Sequence, residues 1–221
     1  MLSSSCYTTG INFSNGLIRT PNALLNSEGT ISFLYSNFDP FVHGRITLSP
    51  YDWLEGSFFY TDINTERYAG TKQSNKDKGF ALKLKIKEQG RFPAVALGFE
   101  DIAGTVLFSS EYLVSTYEWD RFNFSLGIGW GRLGSLENFV NPLSIFSDDI
   151  NQRSGSSSNT GGTFAFGNYF RGDASVFGGV DVTISEKKNI VFKVEYDSMN
   201  FNKQRGYIAK ESTRYNYGIY L

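Results

Sequence analysis

One stretch of the sequence has the spacing of a nucleotide-binding loop. Residues 129–134, Gly-Trp-Gly-Arg-Leu-Gly, match G-x-G-x-x-G, follow an apolar strand-like stretch, and precede Asp148 and Asp149, which lie near the distance expected for a ribose contact. That chemistry needs a helix directly after the glycines, with its N-terminus aimed at a pyrophosphate. Residues 135–142 do not predict a helix, and the sequence has no βαβ pattern. We therefore interpret the glycines as a strand bend or bulge, or as a close approach of backbone inside the protein.

The sequence offers few other residues for catalysis. His43 is the single histidine and could serve as a general base near Asp39, but a lone histidine at a strand start is more typical of a polar interior or rim position. No serine lies in G-x-S-x-G. Cys6 is the single cysteine, which excludes an internal disulfide and a cysteine-based zinc cluster. We predict no catalytic, cofactor or metal site, and a hydrolytic enzyme is the weakest hypothesis.

Alternation of apolar and polar residues is the dominant pattern. In Phe122–Trp130 every second side chain is apolar, and those between are Asn, Ser or Gly. In Gly79–Lys87 a row of Phe, Leu, Leu and Ile opposes Ala and three lysines. Because side chains alternate across a strand, each segment has one apolar and one polar face. Such faces suit a strand between lipid and a watery lumen, or a strand with one face on a protein core.

About ten such strands are predicted, mostly joined by hairpins. Their cores are residues 30–36, 42–49, 54–61, 79–87, 94–101, 111–117, 122–130, 174–185, 190–196 and 215–221, with a weaker candidate at 163–170. We expect a long loop at about 131–162, which includes a Ser- and Gly-rich stretch at 154–159. Residues 1–26 are predicted to be an N-terminal loop or a segment inside a lumen, and residues 27–221 to form one domain.

Composition favours an all-β protein. The chain has 20 Phe, 13 Tyr, 3 Trp and 23 Gly among 221 residues, with 5 Pro, which suits strands and tight turns. No apolar run reaches the ~18 residues of a spanning helix. A membrane β-barrel needs no such run, because its strands are half polar. With 21 basic and 22 acidic residues, the formal net charge is −1, so nucleic acid is not an implied partner.

Strand length and aromatic placement favour a membrane barrel over a soluble sandwich. Many predicted strands approach the ~9–11 residues of a spanning strand. Aromatic residues end several apolar rows, as interfacial girdles do, at Tyr60, Phe80, Trp130 and Tyr196. We predict an antiparallel up-and-down membrane β-barrel of about ten strands, which this chain could leave incomplete. The alternative is a soluble β-sandwich that binds carbohydrate.

Several blocks of sequence, in the same order, resemble the YjbH family of outer-membrane exopolysaccharide biosynthesis proteins. The match is good over residues 10–143 and weaker beyond. The blocks are Gly16–Ala23, Tyr35–Pro40, Trp53–Ile63, Asp77–Leu84, Phe92–Gly98, Gly104–Val114 and Leu126–Gly134.

The resemblance implies an outer-membrane barrel that assists exopolysaccharide assembly or export. It implies no catalytic residues, outer-membrane lipid and export proteins as partners, and a family whose members are longer than this chain. Residues 1–6 lack the basic and apolar regions of an export signal, so we expect that the signal was removed or that the chain is a fragment.

Polar and aromatic residues on the lumen face or at its rim are the candidates for contact with a polysaccharide. Lysines on alternating positions could guide an anionic polymer through weak contacts, or could simply keep that face hydrated. The candidates are Arg19, Trp53, Lys83, Lys85, Glu111 and Arg132, and Lys87, Lys193 and Glu195 share the predicted polar faces.

Overall fold

The computed structural model describes residues 10–13, 15–67, 70–105, 107–153, 166–200 and 214–221. The segments with period-two alternation form strands, as predicted. The ten strands are β1 (Thr30–Phe38), β2 (Phe41–Tyr51), β3 (Leu54–Arg67), β4 (Ser74–Lys87), β5 (Ala94–Glu100), β6 (Ser110–Trp119), β7 (Phe122–Gly131), β8 (Ala174–Ser185), β9 (Ile190–Tyr196) and β10 (Tyr215–Tyr220).

The strands form one antiparallel sheet in which each strand pairs with its neighbours in sequence, from β1 to β10. This up-and-down, all-β arrangement confirms the predicted fold class. Among the described residues no pairing joins β1 to β10, so the sheet is not closed into a barrel. The two edge strands therefore each present one unpaired row of backbone groups.

The two faces of the sheet differ in their content and exposure. On the outer face large apolar side chains lie in the open: Phe33 is 74% exposed and Leu126 is 68% exposed. On the inner face charged and hydroxyl side chains are buried, among them Glu55 and Lys193. Apolar side chains such as Phe59 and Tyr112 are buried on the inner face as well. The departure from an ordinary soluble domain is therefore the outer face, where many large apolar side chains lie exposed.

Residues 10–26 lie on the inner face, where most of them are buried. Phe13 from this segment packs in a cluster with aromatic rings from the sheet and its loops, including Phe41, Phe59, Phe108, Tyr112 and Phe177. The sheet curves around this content. Arg45 on β2 and Glu100 on β5 meet at 2.5 Å, although three strand spacings would separate their backbones by about 14 Å in a flat sheet.

The connection between β7 and β8 runs from residue 132 to residue 173. Its described residues form four short 3₁₀ helices, Arg132–Gly134, Pro142–Ile145, Asp148–Asn151 and Phe166–Asn168. The weaker strand prediction at 163–170 is therefore wrong over residues 166–170, and residues 163–165 lie outside the described part. The rings there pack in the loop instead: Phe170 lies 5.2 Å from Trp130 and 5.4 Å from Phe99, centroid to centroid. Trp130 is consequently buried rather than exposed at the end of its row.

The predicted segments at 1–9 and 154–159 also lie outside the described residues. Across the part of the chain that the structure describes, no helix has both the length and the apolar character needed to cross a membrane.

Candidate functional site

A single carboxylate on the inner face of β9, that of Glu195, binds the turn at residues 16–20. Glu195 accepts hydrogen bonds from the backbone N–H groups of Ile18 at 2.9 Å, Arg19 at 2.8 Å and Thr20 at 3.1 Å. The Thr20 hydroxyl donates a further bond at 2.8 Å. Three successive amides that converge on one anion form a nest, which stabilises a negative charge even where it is removed from water.

Lys193 provides the opposite charge two residues earlier on the same face. Its Nζ donates to the backbone carbonyls of Gly16 at 2.5 Å and Leu17 at 3.0 Å, and lies 4.0 Å from Asp181 on β8. Lys193 is 0% exposed and Glu195 is 1% exposed. The two side chains therefore bind the same turn in complementary ways: Lys193 donates to its backbone carbonyls, and Glu195 accepts from its backbone amides.

Three other strands, further along the sheet from β9, bind residues 23–26 of the segment on the same inner face. Lys83 on β4 donates to the Leu24 carbonyl at 2.6 Å, and Glu55 on β3 accepts from the Asn26 N–H at 2.6 Å. The Thr116 hydroxyl on β6 accepts from the Ala23 N–H at 2.8 Å. Residues 10–26 are thus anchored both by β9 and by β3, β4 and β6. Several of these hydrogen bonds involve a charged side chain, and such bonds stabilise a structure more than neutral ones do.

The centre of the interior combines guanidinium groups with phenyl rings. The Arg45 guanidinium carbon lies 5.3 Å from the Phe59 ring centroid, and that of Arg132 lies 4.8 Å from the Phe108 centroid. A small cavity of about 30 Å³ borders these groups and His43, whose Nδ1 is 2.7 Å from the Thr61 hydroxyl. A cavity of this size holds one or two waters and no sugar ring.

A second ion-pair network closes the end of the interior that faces the long loops. Glu111 on β6 accepts from both terminal nitrogens of Arg153, at 2.6 Å and 3.0 Å, and from the Phe170 N–H at 2.9 Å. Arg153 also donates to the Ser109 hydroxyl at 2.8 Å. These bonds fasten the β7–β8 loop to the rim of β6.

Asp197 follows β9 directly, and its buried carboxyl lies beside Arg19 of the turn at residues 16–20. Burial, followed by the neighbouring charge of Glu195, raises the pKa of the Asp197 carboxyl from 3.8 to about 7. Its Oδ1 accepts from the Met199 N–H at 2.8 Å, and its Oδ2 lies 3.9 Å from an Arg19 nitrogen.

The glycines of residues 129–134 serve backbone packing, as the sequence analysis expected. Gly131 has a φ of +65°, and a Cβ there would lie 2.5 Å from the Ser109 carbonyl oxygen. A Cβ on Gly129 would lie 2.4 Å from the Leu133 Cβ. The 3₁₀ turn Arg132–Gly134 follows the motif in place of a nucleotide-binding α-helix.

The six candidate contact residues do not come together in one site. Lys83 and Glu111 are buried and engaged as described above, and Arg132 stacks on interior rings. Arg19 lies beside the Phe38 ring at 5.8 Å. Two candidates lie at the end with the short turns: Trp53 is half exposed and stacks on Tyr51, with ring centroids 5.6 Å apart, and Lys85 pairs with Glu88 at 3.1 Å.

Sequence reasoning found the inner face but not the use of its side chains. Period-two alternation places Lys83, Lys193 and Glu195 on one side of their strands. It does not indicate that a segment of the same chain occupies that side. Glu55, Thr116 and Arg45 were not singled out, since each is one of several polar residues in its strand and the local pattern does not distinguish it from the others. No group of three or more His, Cys, Asp or Glu side chains suited to a metal ion occurs within the described ranges.

The fold and this site define an all-β protein whose single up-and-down sheet is wrapped around a segment of its own chain. The chain belongs to the YjbH family, described as exopolysaccharide biosynthesis protein YbjH, which it matches over residues 12–221. It is similar to the "Uncharacterized lipoprotein YjbH" of Escherichia coli (strain K12), with 35% identity over 209 residues. The match covers 92% of this chain and 30% of that protein, so the chain spans under a third of the relative's length. No solved structure matches the chain.

Proposed function

We propose that this chain is part of a bacterial outer-membrane β-barrel that assists exopolysaccharide assembly or export without catalysing a reaction. Membership of an exopolysaccharide biosynthesis family supports the process. The E. coli relative is named a lipoprotein, which supports association with a membrane, because acyl anchors partition into bilayers.

The observation that carries the membrane proposal is the large number of exposed apolar side chains on the outer face of the sheet. Apolar side chains on the outer rows of β1, β7 and β10 are exposed, as Phe33, Leu126 and Tyr217 illustrate. Phe122 on β7, Leu82 on β4 and Phe192 on β9 also lie on the outer face and do not converge on a dry interior. Water would disfavour such a surface by ~25 cal/mol per Å² of apolar area, whereas acyl chains would cover it. A sandwich would need a second sheet there, and the described strands form a single sheet.

The connections suggest which way the sheet faces. At one end the strands are joined by two to six residues, at 52–53, 88–93, 120–121 and 186–189. The opposite end carries the three longest connections, 101–109, 132–173 and 197–214. Outer-membrane barrels place short turns in the periplasm and long loops outside. The end with Trp53 would accordingly face the periplasm, and the loop fastened by Glu111 would face outward.

The occupied interior restricts how a polymer could be handled. Because residues 10–26 fill the concave face, a sugar chain would bind at the rims or would pass after this segment moves. At the periplasmic end, the half-exposed Trp53 would stack on a sugar ring, whereas the side chain of Lys85 is 19% exposed and would act on a polymer through its charge. The chain would then act by positioning polymer and partners rather than by bond cleavage.

Cysteine accessibility in native outer membranes tests the proposal. In a Cys6→Ser background of the full protein, Leu126→Cys should react with a bilayer-restricted maleimide and resist a charged thiol reagent. Lys187→Cys, in an exposed short turn, is the matched control and should show the opposite preference. Rapid labelling of Leu126→Cys by the charged reagent, or recovery of the protein in the soluble fraction, would reject a membrane location.

A further inference from the structure

The outer face of β2, β3 and β4 carries an apolar groove of about 520 Å³. Its walls are Ile46, Leu48, Phe58, Phe80, Leu82 and Ile102. The groove exists because Gly56 occupies the central position of a row whose other members are leucines, Leu48 on β2 and Leu82 on β4. A Cβ built on Gly56 would meet no atom within 4 Å, so the missing side chain leaves open space on the surface.

A polar and cationic end adjoins the groove. The row Ile46–Phe58–Phe80 is followed along the strands by Gly44–Tyr60–Lys78, one period of about 7 Å away. Lys78 and Tyr60 are both exposed. The next row contains an ion pair between Lys76 and Asp62 at 3.1 Å. These rows lie toward the long loops, so the apolar groove has its basic end on the side assigned above to the outer leaflet.

We propose that this groove binds one phosphorylated, acylated glycolipid of the outer leaflet, with an acyl chain over Gly56 and a phosphate beside Lys78. The proposal rests on the proposed membrane function and its orientation. An alkyl chain suits a lining that has no charged side chain, and an ammonium group at the membrane surface attracts a phosphorylated headgroup. The apolar groove lies toward the membrane interior and Lys78 toward the membrane surface, which matches the positions of the acyl chains and the headgroup of a lipid.

Two substitutions separate the two halves of the site. Gly56→Leu places a side chain in open space, so the strand should still fold while the new side chain fills the groove. Lys78→Glu leaves the groove intact and reverses the charge at its end. Matched controls are Val176→Phe, which adds bulk to the outer face on β8, and Lys187→Glu, which reverses a charge at the opposite end.

Native mass spectrometry of the full protein in detergent micelles, titrated with lipid A or with dephosphorylated lipid A, gives the readout. We expect one bound lipid A, at least about tenfold weaker binding of both lipids to Gly56→Leu, and about tenfold weaker binding of the phosphorylated lipid alone to Lys78→Glu. Both controls should bind as the wild type does. Gly56→Ala, which adds one methyl group, should show a smaller loss and replaces Gly56→Leu if that variant does not fold.

Other outcomes would contradict the groove, the phosphate contact or the membrane function separately. Unchanged lipid A binding to the Gly56 variants means that the groove is not the site, as would be the case if another protein segment covered it. If Lys78→Glu weakens the binding of lipid A and of dephosphorylated lipid A equally, Lys78 does not bind the phosphate. Flotation with outer-membrane vesicles is scored first on the wild type. A chain that does not float rejects the membrane function, whereas one that floats without groove-dependent binding rejects the lipid site alone.

Discussion

At the scale of single residues, Asp197 couples the folded state to pH. Its pKa is about 7 in the folded chain and 3.8 in the reference state, so between these values the folded state keeps a proton that the unfolded state has lost. Stability should therefore fall as the pH rises from about 4 to about 7. Asp197→Asn keeps an acceptor for the Met199 N–H and removes the ionisation. We expect the variant to be more stable than the wild type above pH 7, by about 2–4 kcal/mol, and equal to it near pH 4.

Unfolding midpoints of both proteins in one detergent, at about pH 4.5 and about pH 8, check this expectation. Asp120→Asn is the control, because it makes the same chemical change at an exposed position in the β6–β7 turn. If Asp197→Asn and the wild type keep the same difference in stability at both pH values, the carboxyl ionises freely in the folded chain.

At the scale of elements, β9 should determine whether the segment at residues 10–26 stays inside. Glu195→Gln retains the side-chain shape and removes the charge that three amides surround, which also leaves Lys193 with less compensation. We expect a loss of about 2–3 kcal/mol in the free energy of unfolding. The local consequence is faster trypsin cleavage after Arg19 under native conditions, since opening of the segment exposes that bond.

Glu186→Gln, in the exposed turn between β8 and β9, makes the same chemical change without touching the segment and should leave cleavage unchanged. Equal protection of Arg19 in both variants would show that the remaining anchors, Lys193, Lys83, Glu55 and Thr116, hold the segment without the Glu195 carboxylate. In that case the carboxylate nest has no role in retaining it.

The elements also show how far the sequence could predict the structure. Strands such as β4 and β7 were predictable, because alternation is a local property that each strand carries by itself. Most of the β7–β8 connection was predicted as a long loop, but its last part was not, since Phe166 and Phe170 resemble strand residues until the loop packs Phe170 on Trp130 and Phe99. The same limit applies to the site. The inner positions of Lys193 and Glu195 follow from alternation, whereas their binding of a turn about 175 residues earlier depends on tertiary contacts.

At the scale of the whole molecule, the open edges of β1 and β10 lead to the last prediction. The register pairs Phe33 on β1 with Ile46 on β2, and no register pairs β1 with β10 in the described sheet. In a Cys6→Ser background of the full protein, Phe33→Cys with Ile46→Cys should join through a short thiol crosslinker, because Cβ atoms of facing residues lie about 4.5–5.5 Å apart. Phe33→Cys with Tyr217→Cys, two outward positions on the two edges, should not join, as gel mobility and peptide mass spectrometry would show. Efficient crosslinking of the second pair would mean that these ten strands close on themselves, and residues 10–26 would then plug a complete barrel rather than line an open sheet.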